Sequence, residues 1–236
     1  CLNALFQKMQ AISGTKQEAQ LNQIYNEGIG ALSAMGSDII ALLKEHLRQE
    51  KGPMRLMLLR TLAKLDPMEA VPFLLQYLQG DPGAECYMAI ESLGGIGKAV
   101  LPILSKAFGT GTPNMQCNIV RVLHKIADDE VMELYQTALK SLEPEVLDEA
   151  LRGLGMRGVK SYDLLFDFLL RTEDSRHAQV AAASLAQLEP IASLRLIPIF
   201  DQPAEIARSF HKDEIMVVDR IAQVFIAIGK SVAEKI

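Results

Sequence analysis

The chain has 236 residues, 49% of them hydrophobic and 22% charged, with a formal net charge of −5 at pH 7. The acidic balance leaves no general basic footprint for nucleic acid, and no uninterrupted apolar run approaches the ~18 residues of a membrane span. Three cysteines make no disulfide framework, and the dominance of Leu, Ala, Met, Glu and Gln over alternating Val/Ile/Thr runs predicts an all-α fold.

Taken in order, Leu2, Leu5, Phe6, Met9 and Ile12 form one apolar stripe, predicting a helix over 1–12. A chain opening on Cys1 reads either as an excised domain or as a lipoprotein acylated at that cysteine. The stripe starts at once, with no polar tether, which favours an excised domain at a cytoplasmic location over a lipid anchor. After Ser13-Gly14-Thr15 come helices from Gln17 to about Met35 and from Ser37 to Gln49, closed by Lys51-Gly52-Pro53.

The second pair runs from Pro53 to Gln79, with Asp66 as N-cap and Pro67 as first helical residue between its helices. The third, Pro82 to Phe108, turns at Gly94-Gly95-Ile96-Gly97. The fourth follows Gly109-Thr110-Gly111-Thr112 and covers Pro113 to Ser141. The fifth covers Pro144 to Arg171. The sixth covers Asp174 to about Ile206, and its second helix, bearing Pro190, Pro198 and Pro203, is expected to be short or bent. Asp213 to Ile228 begins a seventh pair, with Gly229-Lys230-Ser231-Val232 matching Gly97-Lys98-Ala99-Val100 at the start of a second helix.

The pairs share one register. Ala41, Pro72, Pro102, Glu133, Leu164 and Pro198 occupy one position at steps of 31, 30, 31, 31 and 34 residues. The next two positions are always apolar, and six further on stand Leu47, Leu78, Phe108, Leu139 and Leu170, with Ala204 in the last copy. A fixed period with one apolar helix face is the signature of a repeat array, in which each pair buries its face against its neighbours. Cys86 and Cys117, 31 residues apart, take equivalent places and are expected to be buried small side chains.

Asp66-Pro67-Met68-Glu69-Ala70-Val71-Pro72 and Gly80-Asp81-Pro82, more weakly Leu185 to Pro198 and Glu143 to Leu154, resemble the HEAT-like repeat of the phycobilisome-lyase type. The resemblance covers about residues 17–236. It implies a right-handed α-solenoid of about six helix pairs with incomplete ends, a single domain over 1–236.

Signals for chemistry are sparse. Gly94-x-x-Gly97-Lys98 and Gly229-Lys230-Ser231 lack the upstream glycine of a phosphate loop, since Ser92 and Val224 stand there. Asp128, Asp129, Glu130 and Glu133 fit an acidic helix start as well as a cation site. His46, His124, His177 and His211 have no partner at metal-ligand spacing. HEAT-like metal hydroxylases carry His-Glu pairs, whereas this chain has only the reverse, Glu45-His46. HEAT-like DNA glycosylases are basic and use tryptophan; this chain is acidic and has none. No cofactor is expected.

The HEAT resemblance implies that the exposed side of the second helices lines a concave surface. Three, four and seven residues past the shared position these are Lys44, Leu75, Ser105, Gln136 and Asp167; Glu45, Gln76, Lys106, Thr137 and Phe168; Arg48, Gln79, Gly109, Lys140 and Arg171. Leu75 and Phe168 interrupt a polar surface as binding anchors would. Residues 41–64 carry six basic against two acidic side chains, and 127–150 eight acidic against Lys140 alone, a polarity suited to orienting a partner. The expectation is a non-enzymatic scaffold binding a protein or peptide through Lys44, Arg48, Leu75, Gln76, Lys106, Gln136, Lys140, Asp167, Phe168 and Arg171. The alternative is a HEAT-like lyase or other small-molecule-binding subunit.

Overall fold

The computed structural model describes residues 27–50 and 52–233. Thirteen α-helices follow a helical stretch at 27–33, and no strand occurs among the described residues. The all-α expectation holds. The helix expected over 1–12, with Cys1, and the beginning of the Gln17–Met35 helix lie outside the described residues. The chain divides into two compact units, one ending at Val100 and the other beginning at Leu101.

The first unit holds α1 (Ile40–Gln49), α2 (Gly52–Leu65), α3 (Pro67–Tyr77) and α4 (Ala84–Ile96), each packed on the next. Leu43 and Leu47 of α1, Leu58 and Leu62 of α2, Val71 and Leu74 of α3 and Leu93 of α4 are buried, so apolar spacing becomes a continuous core. Asp66 accepts the Glu69 N–H at 3.2 Å and Pro67 opens α3, as a cap followed by proline should. Between the second helices, Lys44 of α1 reaches Glu69 of α3 at 2.5 Å. Pro72 lies inside α3.

The turn expected over Gly94–Gly97 shrinks to one residue, because α4 continues through Gly94 and Gly95. Gly97 adopts φ 75°, ψ −148° and opens a single 3₁₀ turn, Gly97–Val100. That backbone region is essentially closed to side-chain-bearing residues. Gly36 (φ 71°) and Gly158 (φ 69°) stand at the corresponding breaks, each opening a 3₁₀ turn before a second helix. No atom lies within 4 Å of a Cβ built on Gly97, so a substitution there reports backbone strain alone. Gly97→Ala is expected to lower stability by about 1–2 kcal/mol in urea unfolding; an unchanged midpoint would contradict the left-handed break.

Residues 84–110 are, by length and composition, apolar enough to cross a membrane. A count of uninterrupted apolar residues misses this, because the charges Glu85, Glu91, Lys98 and Lys106 are spread through the stretch. The backbone breaks at Gly97, and Cys86, Met88, Ala89, Ile90 and Leu93 are buried as core.

The second unit holds α5 (Leu101–Thr110), α6 (Pro113–Lys125), α7 (Val131–Ala138), α8 (Pro144–Gly155), α9 (Tyr162–Arg171), α10 (Ser175–Ala186), α11 (Ile191–Asp201), α12 (Pro203–Phe210) and α13 (Glu214–Ala233). The first helices α6, α8, α10 and α13 pack side by side in chain order, with α7 against α8 and α9 against α10. Thr112 caps α6 by accepting the Met115 N–H at 3.3 Å, and Asp174 caps α10 by accepting those of Arg176 and His177 at 2.8 and 3.2 Å. These two N–H groups, His177's first, hold the Asp174 carboxyl below its usual range. Leu104, Tyr135 and Phe166 occupy the same buried place as Leu43 and Leu74 in the other unit. Cys86 is buried as expected, whereas Cys117 is only half-buried; burial pushes its thiol up, only partly opposed by Arg121.

The regular pattern fails towards the C-terminus. Pro190 precedes α11, Pro198 lies inside it, and Pro203 starts the separate helix α12, so the expected sixth second helix ends at Asp201. Phe200, at a position buried in five other helices, is 44% exposed and meets only the edge of Phe225 among aromatic rings, at 6.2 Å. The break expected at Gly229 is absent, since α13 passes through it. Gly229-Lys230 is therefore helix interior and Gly97-Lys98 a helix break, and neither forms a phosphate loop.

Candidate functional site

In the first unit the expected binding residues are partly committed elsewhere. Lys44 is held by Glu69, Gln76 accepts a hydrogen bond from Arg55 at 2.7 Å, Leu75 is half-buried, and Arg48 is exposed. In the second unit Lys106 is exposed on α5, and Gln136, Lys140, Asp167, Phe168 and Arg171 come together. They line a cleft of about 520 Å³ between the C-terminal parts of α7 and α9.

The walls of this cleft are apolar. Leu139, Leu147, Leu164 and Phe168 line it, with Gln136, Lys140, Asp167, Arg171 and Thr172 as its polar groups. Asp167 and Arg171 stand one helical turn apart on α9, and both carboxylate oxygens accept from Arg171 Nε, at 2.7 and 2.8 Å. The Arg171 guanidinium also lies 5.3 Å from the centroid of the Phe210 ring, itself edge-on to Phe166 at 6.2 Å. The Asp167–Arg171 pair is pre-organised, and with Lys140 the polar groups of the cleft carry one net positive charge. A second cleft, about 440 Å³, lies towards α5 and α6 and is lined by Phe108, Gly111, Pro113, Gln116, Thr137, Lys140, Ser141, Leu142 and Glu143. Lys140 lines both clefts, and beside it Leu142 is 97% exposed.

Three wall residues escaped the sequence reading. Leu139 sits at a repeat position that is buried in four other copies, yet here it is only half-buried and faces the cleft. Leu164 replaces the proline of other copies, and Leu147 comes from a first helix, where no exposed position was assigned. The leucine at the proline position was the available signal.

At least three of the eight carboxylates in the acidic stretch 127–150 are tied up in ion pairs. Asp129 pairs with Lys160; Asp148 holds Arg176 at 2.9 Å and Arg152 at 4.0 Å; Glu149 holds Arg121 at 3.4 Å. Among the described residues, no group of three or more His, Cys, Asp or Glu side chains is placed to hold a metal ion.

A largely buried polar cluster joins α6, α7 and α8. The His124 and Tyr135 rings stack at 9° with centroids 6.2 Å apart, and Glu149 Oε1 lies 3.9 Å from His124 Nδ1. Arg157 covers the Tyr135 ring at 5.7 Å and donates to the carbonyls of Leu123 and Ile126, closing the end of α6. Burial pushes the Tyr135 phenol up to about 12, so it stays protonated. Burial likewise holds His124 below its ordinary 6.5; Glu149 opposes this, while Arg157 and Arg121 reinforce it. The unfolded chain therefore binds the proton more readily than the fold does. The stability contributed by neutral His124 is complete above about pH 6.5 and is lost as pH falls through the window beneath it. The melting temperature of wild type should fall more steeply than that of His124→Gln as pH drops below about 6.5; parallel curves would contradict this assignment.

No family model matches the chain, and no curated protein matches it.

Proposed function

We propose that this chain is a non-enzymatic protein-interaction module, a HEAT-like α-solenoid that holds a partner segment on the exposed side of its second helices. The observation that carries the reading is the cleft between α7 and α9. Five side chains chosen from repeat register alone line it together, with apolar walls and a polar rim. Clefts of this kind accept apolar anchors, while the fixed rim sets orientation. Two further observations support the solenoid: the sequence period runs without interruption from Pro72 to Pro102, and within the second unit the first helices stack in chain order.

The test is affinity capture from the source lysate with wild type and Phe168→Ala in parallel, followed by titration of the purified captured protein. A protein that binds wild type and is weakened by the folded variant supports the reading. Equal binding by both places the site on another face. Retention of a small molecule alone favours the lyase-like alternative, for which a volume of about 520 Å³ is also suitable.

A further inference from the structure

We infer that the wall shared by the two clefts is proton-sensitive: a second proton on the His124 ring loosens α7 and changes the shape of both clefts. The loosening follows from how α7 is held, whereas its meaning as a control of binding rests on the interaction reading above. Tyr135 is fully buried on α7, and the two residues directly after it, Gln136 and Thr137, line one cleft each. Lys140, just past the end of the helix, lines both. On its inner side α7 rests the Tyr135 ring against the His124 ring of α6. One short helix thus presents the clefts outward and a titratable contact inward.

A charged His124 ring has little to hold it there. From α8, Glu149 lies 3.9 Å from Nδ1, but this carboxylate already holds Arg121 of α6 at 3.4 Å. Arg157, which follows α8, covers the Tyr135 ring that a charged His124 would share with it. From α7 the ring meets only the neutral phenol of Tyr135, and no charged group of α5 acts on it among the described residues. His124 Nε2 and Tyr135 Oη are buried without a hydrogen-bond partner, and both crowd Gly153. Proton uptake therefore places a cation beside two guanidiniums in a space with few polar partners, in keeping with the lowered proton affinity that burial gives the ring. The element that yields is α7. It is eight residues long, with non-helical chain at 126–130 and 139–143 on either side. A helix of that length is held by its packing rather than by its own hydrogen bonds. Weakening the Tyr135 contact releases α7 before it parts the closely packed α6 and α8.

The test follows hydrogen exchange of the purified chain from about pH 7.5 to about pH 5.5, with intrinsic rates divided out. Wild type is compared with His124→Gln and Glu149→Gln. In wild type the protection of the α7 amides should fall below about pH 6.5, severalfold and at most about tenfold by about pH 5.5, the limit for one proton. Amides near Val217, Ile221 and Val224, buried on α13 of the same unit, should keep theirs. His124→Gln should remove the pH dependence. Glu149→Gln keeps the ring but removes the carboxylate that favours its charge, so the fall should move to lower pH; this arm carries the test if His124→Gln does not fold. Protection of α7 that is indifferent to pH, that changes alike in wild type and His124→Gln, that keeps its onset in Glu149→Gln, or that falls equally in α13 would overturn the inference. None of these readouts needs a partner, so a failed capture experiment overturns the interaction reading and leaves the loosening standing.

Discussion

Gly153→Ala is expected to destabilise the protein by about 3 kcal/mol, the upper part of the range for forcing a methyl group into a filled core. On an open helix surface the same change is favourable by up to about 1 kcal/mol, because alanine is the better helix former. Gly153 lies inside α8, where an added Cβ would sit 2.2 Å from His124 Nε2, 2.5 Å from His124 Cδ2 and 2.6 Å from Tyr135 Oη. Neither ring can yield easily. They stack on one another, Arg157 covers Tyr135, and Tyr135 is fully buried. Relief requires α6 and α8 to part, and these are among the most closely associated helices of the second unit. Gly95→Ala is the matched control: it lies inside α4, is exposed, and nothing lies within 4 Å of its built Cβ. It should be neutral or stabilising by urea unfolding. In a double-mutant cycle, Gly153→Ala combined with His124→Ala should cost less than the sum of the single changes. A Gly153→Ala protein as stable as wild type would mean that α6 and α8 do not meet in this way.

The second large effect concerns binding. Phe168→Ala is expected to weaken a partner held in the α7–α9 cleft by about 2 kcal/mol or more, roughly thirtyfold, the level at which a central aromatic anchor counts as a hot spot. Phe168 is half-buried and faces the cleft, so its truncation removes wall area without emptying the core. The melting temperature should move far less than for a core truncation such as Leu151→Ala, which removes a fully buried side chain at about 2–5 kcal/mol. Arg171→Ala provides an independent check: it frees Asp167 on the rim and so alters the charge of the cleft as well as its shape. Affinity lost in proportion to stability would indicate a structural role for Phe168, whereas affinity lost alone locates the anchor.

The sequence by itself determined helix class, most helix starts and the shared register. These rest on interactions a few residues long. Asp66-Pro67, Thr112-Pro113 and Asp174 cap the helices they announce, and Leu43, Leu74, Leu104, Tyr135 and Phe166 are buried at one recurring position. It misjudged breaks that depend on one residue's backbone state: Gly97 breaks the chain with a positive φ, while Gly229 in a similar local sequence does not. Five cleft residues were also legible, because helical spacing tells which side of a helix is left outward.

Only the tertiary structure decided which of those outward residues share a cleft and which charges stay free. Asp148 and Arg176 are 28 residues apart, Asp129 and Lys160 31, and Arg157 and Leu123 34. Such pairings join helices far apart in sequence, and their partners are fixed by how the helices pack. A count of charges along 127–150 therefore cannot tell which are paired: the fold ties up Asp129, Asp148 and Glu149, while Lys140 and Glu143 line one cleft without an ion pair among the described residues. Gly153 follows the same rule: nothing in its local sequence announces that two aromatic rings from other helices fill the space where a side chain would go.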